Sequence, residues 1–151
     1  MNPSSGPIFY RLGRAQSYLG RFDDALVSFN SALDLNPNQP AVLQSAANLL
    51  ASHPIPSKRR PDEALALVNR ALEQMAEPDP VILSTLATAQ AATGDFERAV
   101  LTAKLALSTA ETSNGNFLVP TIRRQIEFYE QGRIQIARAA GDKRFNAPGE
   151  R

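Results

Sequence analysis

Three segments of this chain open alike. Gly20-Arg21-Phe22-Asp23-Asp24-Ala25, Arg59-Arg60-Pro61-Asp62-Glu63-Ala64 and Gly94-Asp95-Phe96-Glu97-Arg98-Ala99 each set a turn, then acidic residues, then Ala. The anchors Ala25, Ala64 and Ala99 lie 39 and 35 residues apart, and seven residues beyond them stand Ala32, Ala71 and Ala106. Self-similarity at a period of roughly 20–50 residues is the mark of an array built from one supersecondary unit. Composition says which kind. Ala (23) and Leu (17) fill 40 of 151 positions, and both head the helix-propensity ranking. β-branched and aromatic residues are sparse, which disfavours a sheet protein.

Each anchor begins a helix. Asp23-Asp24, Asp62-Glu63 and Asp95 with Glu97 put negative charge in a first turn, where the helix dipole favours it. Pro61 suits a first helical position, where its missing N–H costs nothing. Ala25, Leu26, Phe29, Ala32 and Leu33 then form one apolar helical face. Ala64, Leu65, Val68, Ala71 and Leu72 repeat it, as do Ala99, Val100, Ala103, Ala106 and Leu107. A second helix precedes each of these, over residues 8–19, 40–51 and 80–92. Gly20 and Gly94 close two of them. Asn36-Pro37-Asn38 and Glu77-Pro78-Asp79-Pro80 break the chain between units.

These residues resemble the tetratricopeptide repeat, a helix–turn–helix of about 34 residues with a W-x2-L-G-x2-Y, A-x3-F, A, P pattern. In the first unit Phe9 takes the Trp position, followed by Leu12-Gly13, Gly20, Phe22, Ala25, Phe29, Ala32 and Pro37, with Gln16 where the pattern has Tyr. The third unit offers Leu83, Leu86-Ala87, Gly94, Phe96, Ala99 and Ala106, with Ala103 in place of the aromatic. The second keeps Leu43, Ala46-Ala47, Leu50, Ala64, Val68 and Ala71 around an enlarged turn, Ser52 to Arg60. That turn, and the phrase Ile126-Glu127-Phe128-Tyr129-Glu130-Gln131-Gly132-Arg133, are similar to the closing repeats of bacterial multidomain proteins of this family.

The resemblance implies an all-α fold: a right-handed solenoid of three helix pairs plus a C-terminal capping helix, about seven helices in all. The expected layout is a flexible leader at 1–6 and one domain at 7–139. Repeats fall at 7–38, 40–76 and 79–111, a capping helix at 117–139, and a disordered tail at 140–151. Phe117, Leu118, Ile122, Ile126 and Tyr129 line one face of the seventh helix, and Ile134 and Ala137 extend it. A solvating terminal helix is what an array needs at its open end.

No chemistry-bearing motif stands out. The chain has no Cys and one His, His53, which excludes thiolate and His-pair metal sites and cysteine nucleophiles. Phosphate-loop, His-Glu-x-x-His and nucleophile-elbow motifs are missing. The acidic pairs read as helix-start charge, and His53 as an exposed turn imidazole. No enzyme, cofactor, catalytic residue or metal ligand is expected. Net charge is +1, so no global field draws the chain to nucleic acid. Lys58-Arg59-Arg60, beside Asp62-Glu63, reads as a solvated loop. Residues 121–151 carry a net +3 and the rest −2, a mild asymmetry. No apolar run approaches the roughly 20 residues of a membrane span, and the first residues lack the pattern of a signal peptide. The expectation is a soluble cytoplasmic or periplasmic domain.

Binding remains. In stacked helix pairs the first helix of each pair lines a concave groove, and its non-packing residues point into it. These are Tyr10, Arg14, Ser17 and Tyr18, then Gln44 and Asn48, then Ser84 and Thr88, with Arg124 of the last helix at the rim. Hydroxyls and amides suit a peptide backbone, Tyr gives rigid contact area, and Arg takes a carboxylate. Family members that clamp chaperone C-terminal carboxylates use Lys and Asn at set positions. Here Tyr10, Val81 and Thr85 replace the basic residues, so that clamp is not implied. The expected function is a non-catalytic scaffold for an unknown protein or peptide. The alternative is a terminal capping segment of a longer array, self-associating through an open N-terminal end as a homo-oligomer.

Overall fold

The computed structural model describes residues 5–142. Most of the expected leader, residues 1–4, and the expected tail from 143 onward lie outside the described residues. Seven α-helices follow in chain order: α1 Gly6–Tyr18, α2 Phe22–Leu35, α3 Pro40–Ser52, α4 Pro61–Glu73, α5 Pro80–Ala92, α6 Phe96–Thr112 and α7 Val119–Glu130. Single 3-10 turns at Pro56–Lys58 and Asn116–Leu118 join α3 to α4 and α6 to α7. No strand occurs among the described residues. The all-helical repeat architecture is the one the spacing of the Ala anchors implies.

The pairs α1/α2, α3/α4 and α5/α6 pack within themselves, α2 meets α3, α4 meets α5, and α7 closes on α6. The apolar interior is accordingly divided into successive clusters rather than gathered in one. Ala25, Phe29, Ala32, Val42, Ala46 and Leu49 form the first. Leu43, Ala47, Leu50, Ala64, Val68 and Ala71 lead the second, and Leu83, Ala87, Ala99, Ala103, Ile122 and Tyr129 the third. Each helix pair packs on the next, as in repeat proteins generally.

Small residues set the closeness of each pair. Ala25, Ala32, Ala47, Ala64, Ala71, Ala87, Ala99 and Ala106 are fully buried. At Gly13 a Cβ would stand 2.6 Å from the Phe29 ring and 3.2 Å from the Ala25 carbonyl oxygen. Only a residue without a side chain lets α1 and α2 meet there. Helix starts follow local chemistry as well. Asp79 accepts from the backbone N–H of Val81 at 2.7 Å, and Asp95 from that of Arg98 at 3.1 Å, satisfying first-turn donors.

Two expectations are corrected. The capping helix, expected over 117–139, spans 12 residues and stops at Glu130. Gly132, at φ 64°, ends it: its N–H donates to Tyr129 O at 2.9 Å and the Arg133 N–H to Phe128 O at 2.9 Å. This pair of bonds is the Schellman motif, which needs a left-handed residue. His53 is 2% exposed rather than solvent-facing. The enlarged turn folds over it: Arg59 Nε donates to His53 O at 2.7 Å and the Arg60 N–H to Leu50 O at 2.9 Å. The Phe22 ring meets the imidazole edge-on at 5.9 Å.

Candidate functional site

The site is built from the first helices of the pairs. Between α1 and α3 opens a hollow of about 350 Å³, lined by Arg14, Ser17 and Tyr18 of α1, Phe29 of α2, Gln44, Ser45, Asn48 and Leu49 of α3, and Arg138. Five of the nine groove residues read from the sequence, Arg14, Ser17, Tyr18, Gln44 and Asn48, therefore come together. Arg14 and Asn48 occupy the same place in successive repeats, which is why helical spacing finds both. Tyr10 stands beside them: the Arg14 guanidinium lies 5.8 Å from its ring centre, and its ring is 6.1 Å from that of Phe29. Gln44 also donates to Thr85 Oγ1 at 2.7 Å, fixing its amide.

The third unit does not extend this surface. Ser84 donates to Gln125 Oε1 at 2.7 Å. The Thr88 and Tyr129 hydroxyls share a hydrogen bond of 3.0 Å, and Gln125 Nε2 reaches Thr88 at 3.3 Å. Ser84 and Thr88 are thus consumed by α7, which lies over them. Arg124 is exposed on the far side of the contact residues of α7 and does not line the hollow. Burial pushes the Tyr129 hydroxyl up to about 12, against the opposing pull of its Thr88 bond.

Sequence reasoning missed Phe29, Ser45, Leu49 and Arg138. Phe29 and Leu49 are core residues whose edges reach the hollow. The capping helix expected over 117–139 includes Arg138. Arg138 belongs instead to residues 133–139, which lie outside any helix and run back across the repeats. The Ala137 N–H donates to Ser52 O at 2.7 Å and the Ala140 N–H to Tyr18 O at 2.8 Å. Ile134 packs on the third cluster and Ala137 on the first. The signals available were Gly132 and the alternation Ile134-Gln135-Ile136, which fits an open chain better than a helix.

The basic cluster is structural. Lys58 pairs with Asp23, Arg59 with the His53 carbonyl, and Arg60 with Glu63 at 3.3 Å. The hydrogen bond from Lys58 holds the Asp23 carboxyl below its ordinary 3.8, with partial desolvation opposing it and His53, whose Nε2 is 3.3 Å away, adding to it. Among the described residues no cluster of three His, Asp or Glu could hold a metal, and no helix is long and apolar enough to cross a membrane.

Comparison with curated proteins returned no match. Residues 7–39 match the family model of the tetratricopeptide repeat. That span is α1, its Gly20 turn and α2, and the same close-packed helix pair recurs twice more in the fold. With helices paired through small residues and stacked unit on unit, the fold is an all-helical repeat array whose first pair, residues 7–39, is similar to the tetratricopeptide repeat.

Proposed function

We propose that the chain is a non-catalytic scaffold that takes an extended segment of a protein partner along the face of α1 and α3. The observation behind this reading is the convergence of Arg14, Ser17, Tyr18, Gln44 and Asn48 on one hollow. A guanidinium, a hydroxyl and two amides around a Tyr edge can bond a peptide backbone and one carboxylate while an aromatic surface covers it. The repeats at 7–38, 40–76 and 79–111 with the helix after them act as one binding unit. Peptides selected from a random display library supply the probe. Arg14→Ala and Asn48→Ala should each weaken the selected peptide by about 1 kcal/mol or more, read by calorimetric titration. Unchanged titrations for both variants would refute the reading.

A second reading, assembly through the open end of α1, rests on a separate observation. Val42, Ala46 and Leu49 of α3 are buried against the preceding pair, and so are Ile82 and Ala89 of α5. Their counterparts on α1 are Ile8, Leu12 and Ala15. Ile8 is 65% and Leu12 45% exposed, and Ala15 is exposed beside them. α1 thus presents the face on which a helix pair stacks, and a second copy of this chain supplies one. Sedimentation should show a concentration-dependent dimer that Ile8→Glu with Leu12→Glu abolishes. A strict monomer at high concentration ends this reading.

A further inference from the structure

The chain itself runs back across the ends of α3 and α1. Ser52 and Tyr18 are the last residues of α3 and α1, one repeat apart and equivalent in place. A helix leaves its final carbonyls without intrahelical partners. Two of these are taken by N–H groups three residues apart, Ala137 and Ala140. The segment is a strap, outside any helix over residues 133–139, that takes three residues to pass from the end of α3 to the end of α1. Between its two donors, Arg138 faces the hollow with Gln44 and Asn48. Beside it the strap comes so close to the turn after α1 that a Cβ on Gly20 would stand 2.8 Å from the Ala139 Cβ.

We propose that the strap is an internal ligand, and that the partner is an extended segment of the same design which displaces it. This rests on the peptide-binding reading and names its ligand chemistry and its regulation. The incoming segment donates two backbone N–H groups, three residues apart, to the carbonyls of Ser52 and Tyr18. It carries a long hydrogen-bonding side chain where Arg138 stands and a small residue where Ala139 passes Gly20. A backbone-read groove of this kind accepts many sequences but excludes Pro at either donor and bulk over Gly20. Because the strap is tethered, it competes at an effective concentration in the millimolar range. Outside ligands see only the fraction of molecules whose strap is released.

The test uses a labelled peptide with the sequence of residues 131–142 and the full chain. Ala137→Pro with Ala140→Pro removes both donors from the strap, and Ala139→Trp blocks its passage over Gly20. Both variants should bind the peptide roughly tenfold tighter, or more, than the unaltered chain, read by fluorescence anisotropy. In the unaltered chain the Ala137 and Ala140 amides should be protected from hydrogen exchange, and millimolar peptide should speed their exchange. Equal peptide affinity in all three proteins, unprotected amides, or variants that lose their helices by circular dichroism would each overturn the proposal. Library peptides that bind all three proteins alike, and still respond to Arg14→Ala and Asn48→Ala, would leave the groove reading standing and remove only the strap's part in it.

Discussion

Tyr129 shows how much one side chain decides here. Its ring is 1% exposed, and its hydroxyl is held by Thr88 at 3.0 Å. Burial raises its ionisation to about 12 from an ordinary 10.0. The folded value lies above the unfolded one, so the neutral phenol's contribution is complete below pH 10. As pH rises through 10 the unfolded chain ionises first, and stability falls until the folded phenol also ionises near 12. The slope from this one group is at most about 1.4 kcal/mol per pH unit. Tyr129→Phe should cost about 0.5–1.5 kcal/mol at neutral pH for the lost hydrogen bond. It should also flatten the alkaline fall. Urea denaturation at pH 7 and pH 11 checks both: a variant that loses stability as steeply as the parent at high pH would show that another group governs it. The Tyr129 contact also explains why Ser84 and Thr88 were misread as open. Their positions on α5 correspond to those of Gln44 and Asn48 on α3, as spacing indicates. Whether a later helix covers them depends on the face by which that helix docks, which spacing within α5 does not encode.

At the scale of elements, three helices stop in the same way. Gly20, Gly94 and Gly132 have positive φ, and the residue after each bonds back to the third-last carbonyl of its helix: Arg21 to Gln16, Asp95 to Gln90, Arg133 to Phe128. The first two stops were legible because turn and acidic residues follow at once. The third was read past because Ile134 and Ala137 keep the helical period, and period alone cannot separate a helix from an extended chain over so few apolar residues. Gly132 also sets the direction in which the strap leaves α7. Gly132→Val should cost about 1–2 kcal/mol, since a Cβ is strained in the left-handed region. For a chain of this size that lowers the melting temperature by roughly 2–8 °C. An unchanged transition by circular dichroism would mean that the helix end has moved and no longer needs the turn. His53 is the element-scale lesson in reverse. A His between Ser and Pro in a long turn looks exposed, yet Arg59 and Arg60 bond back to the carbonyls of His53 and Leu50 and lay the turn over it. The inserted residues carry their own donors to a helix end, and no local pattern marks that.

At the scale of the molecule, the helices, their pairing and their order were legible because the array repeats its own signal. The Ala anchors sit at helix crossings, where any larger residue would push the helices apart. The return of the chain was not legible, because its contacts join residue 137 to residue 52 and residue 140 to residue 18, and no repeat period relates them. Those two bonds have a consequence for how the fold fails. In an open array a terminal unit has one neighbour, so it loosens before the centre. Here the segment after α7 bonds to the last residues of α3 and α1, so the first pair has a second neighbour. The amides of α1 should then exchange at a free energy close to that of α5. With Ala137→Pro and Ala140→Pro, α1 alone should exchange faster, and hydrogen exchange by mass spectrometry separates the two helices. Equal exchange of α1 in both proteins would show that the strap rests on the array without coupling its ends. The order of units along the chain is linear, but the bonds of Ala137 and Ala140 close their contacts into a loop. A partner of the proposed kind, by lifting the strap, would break that closure and free the first helix pair.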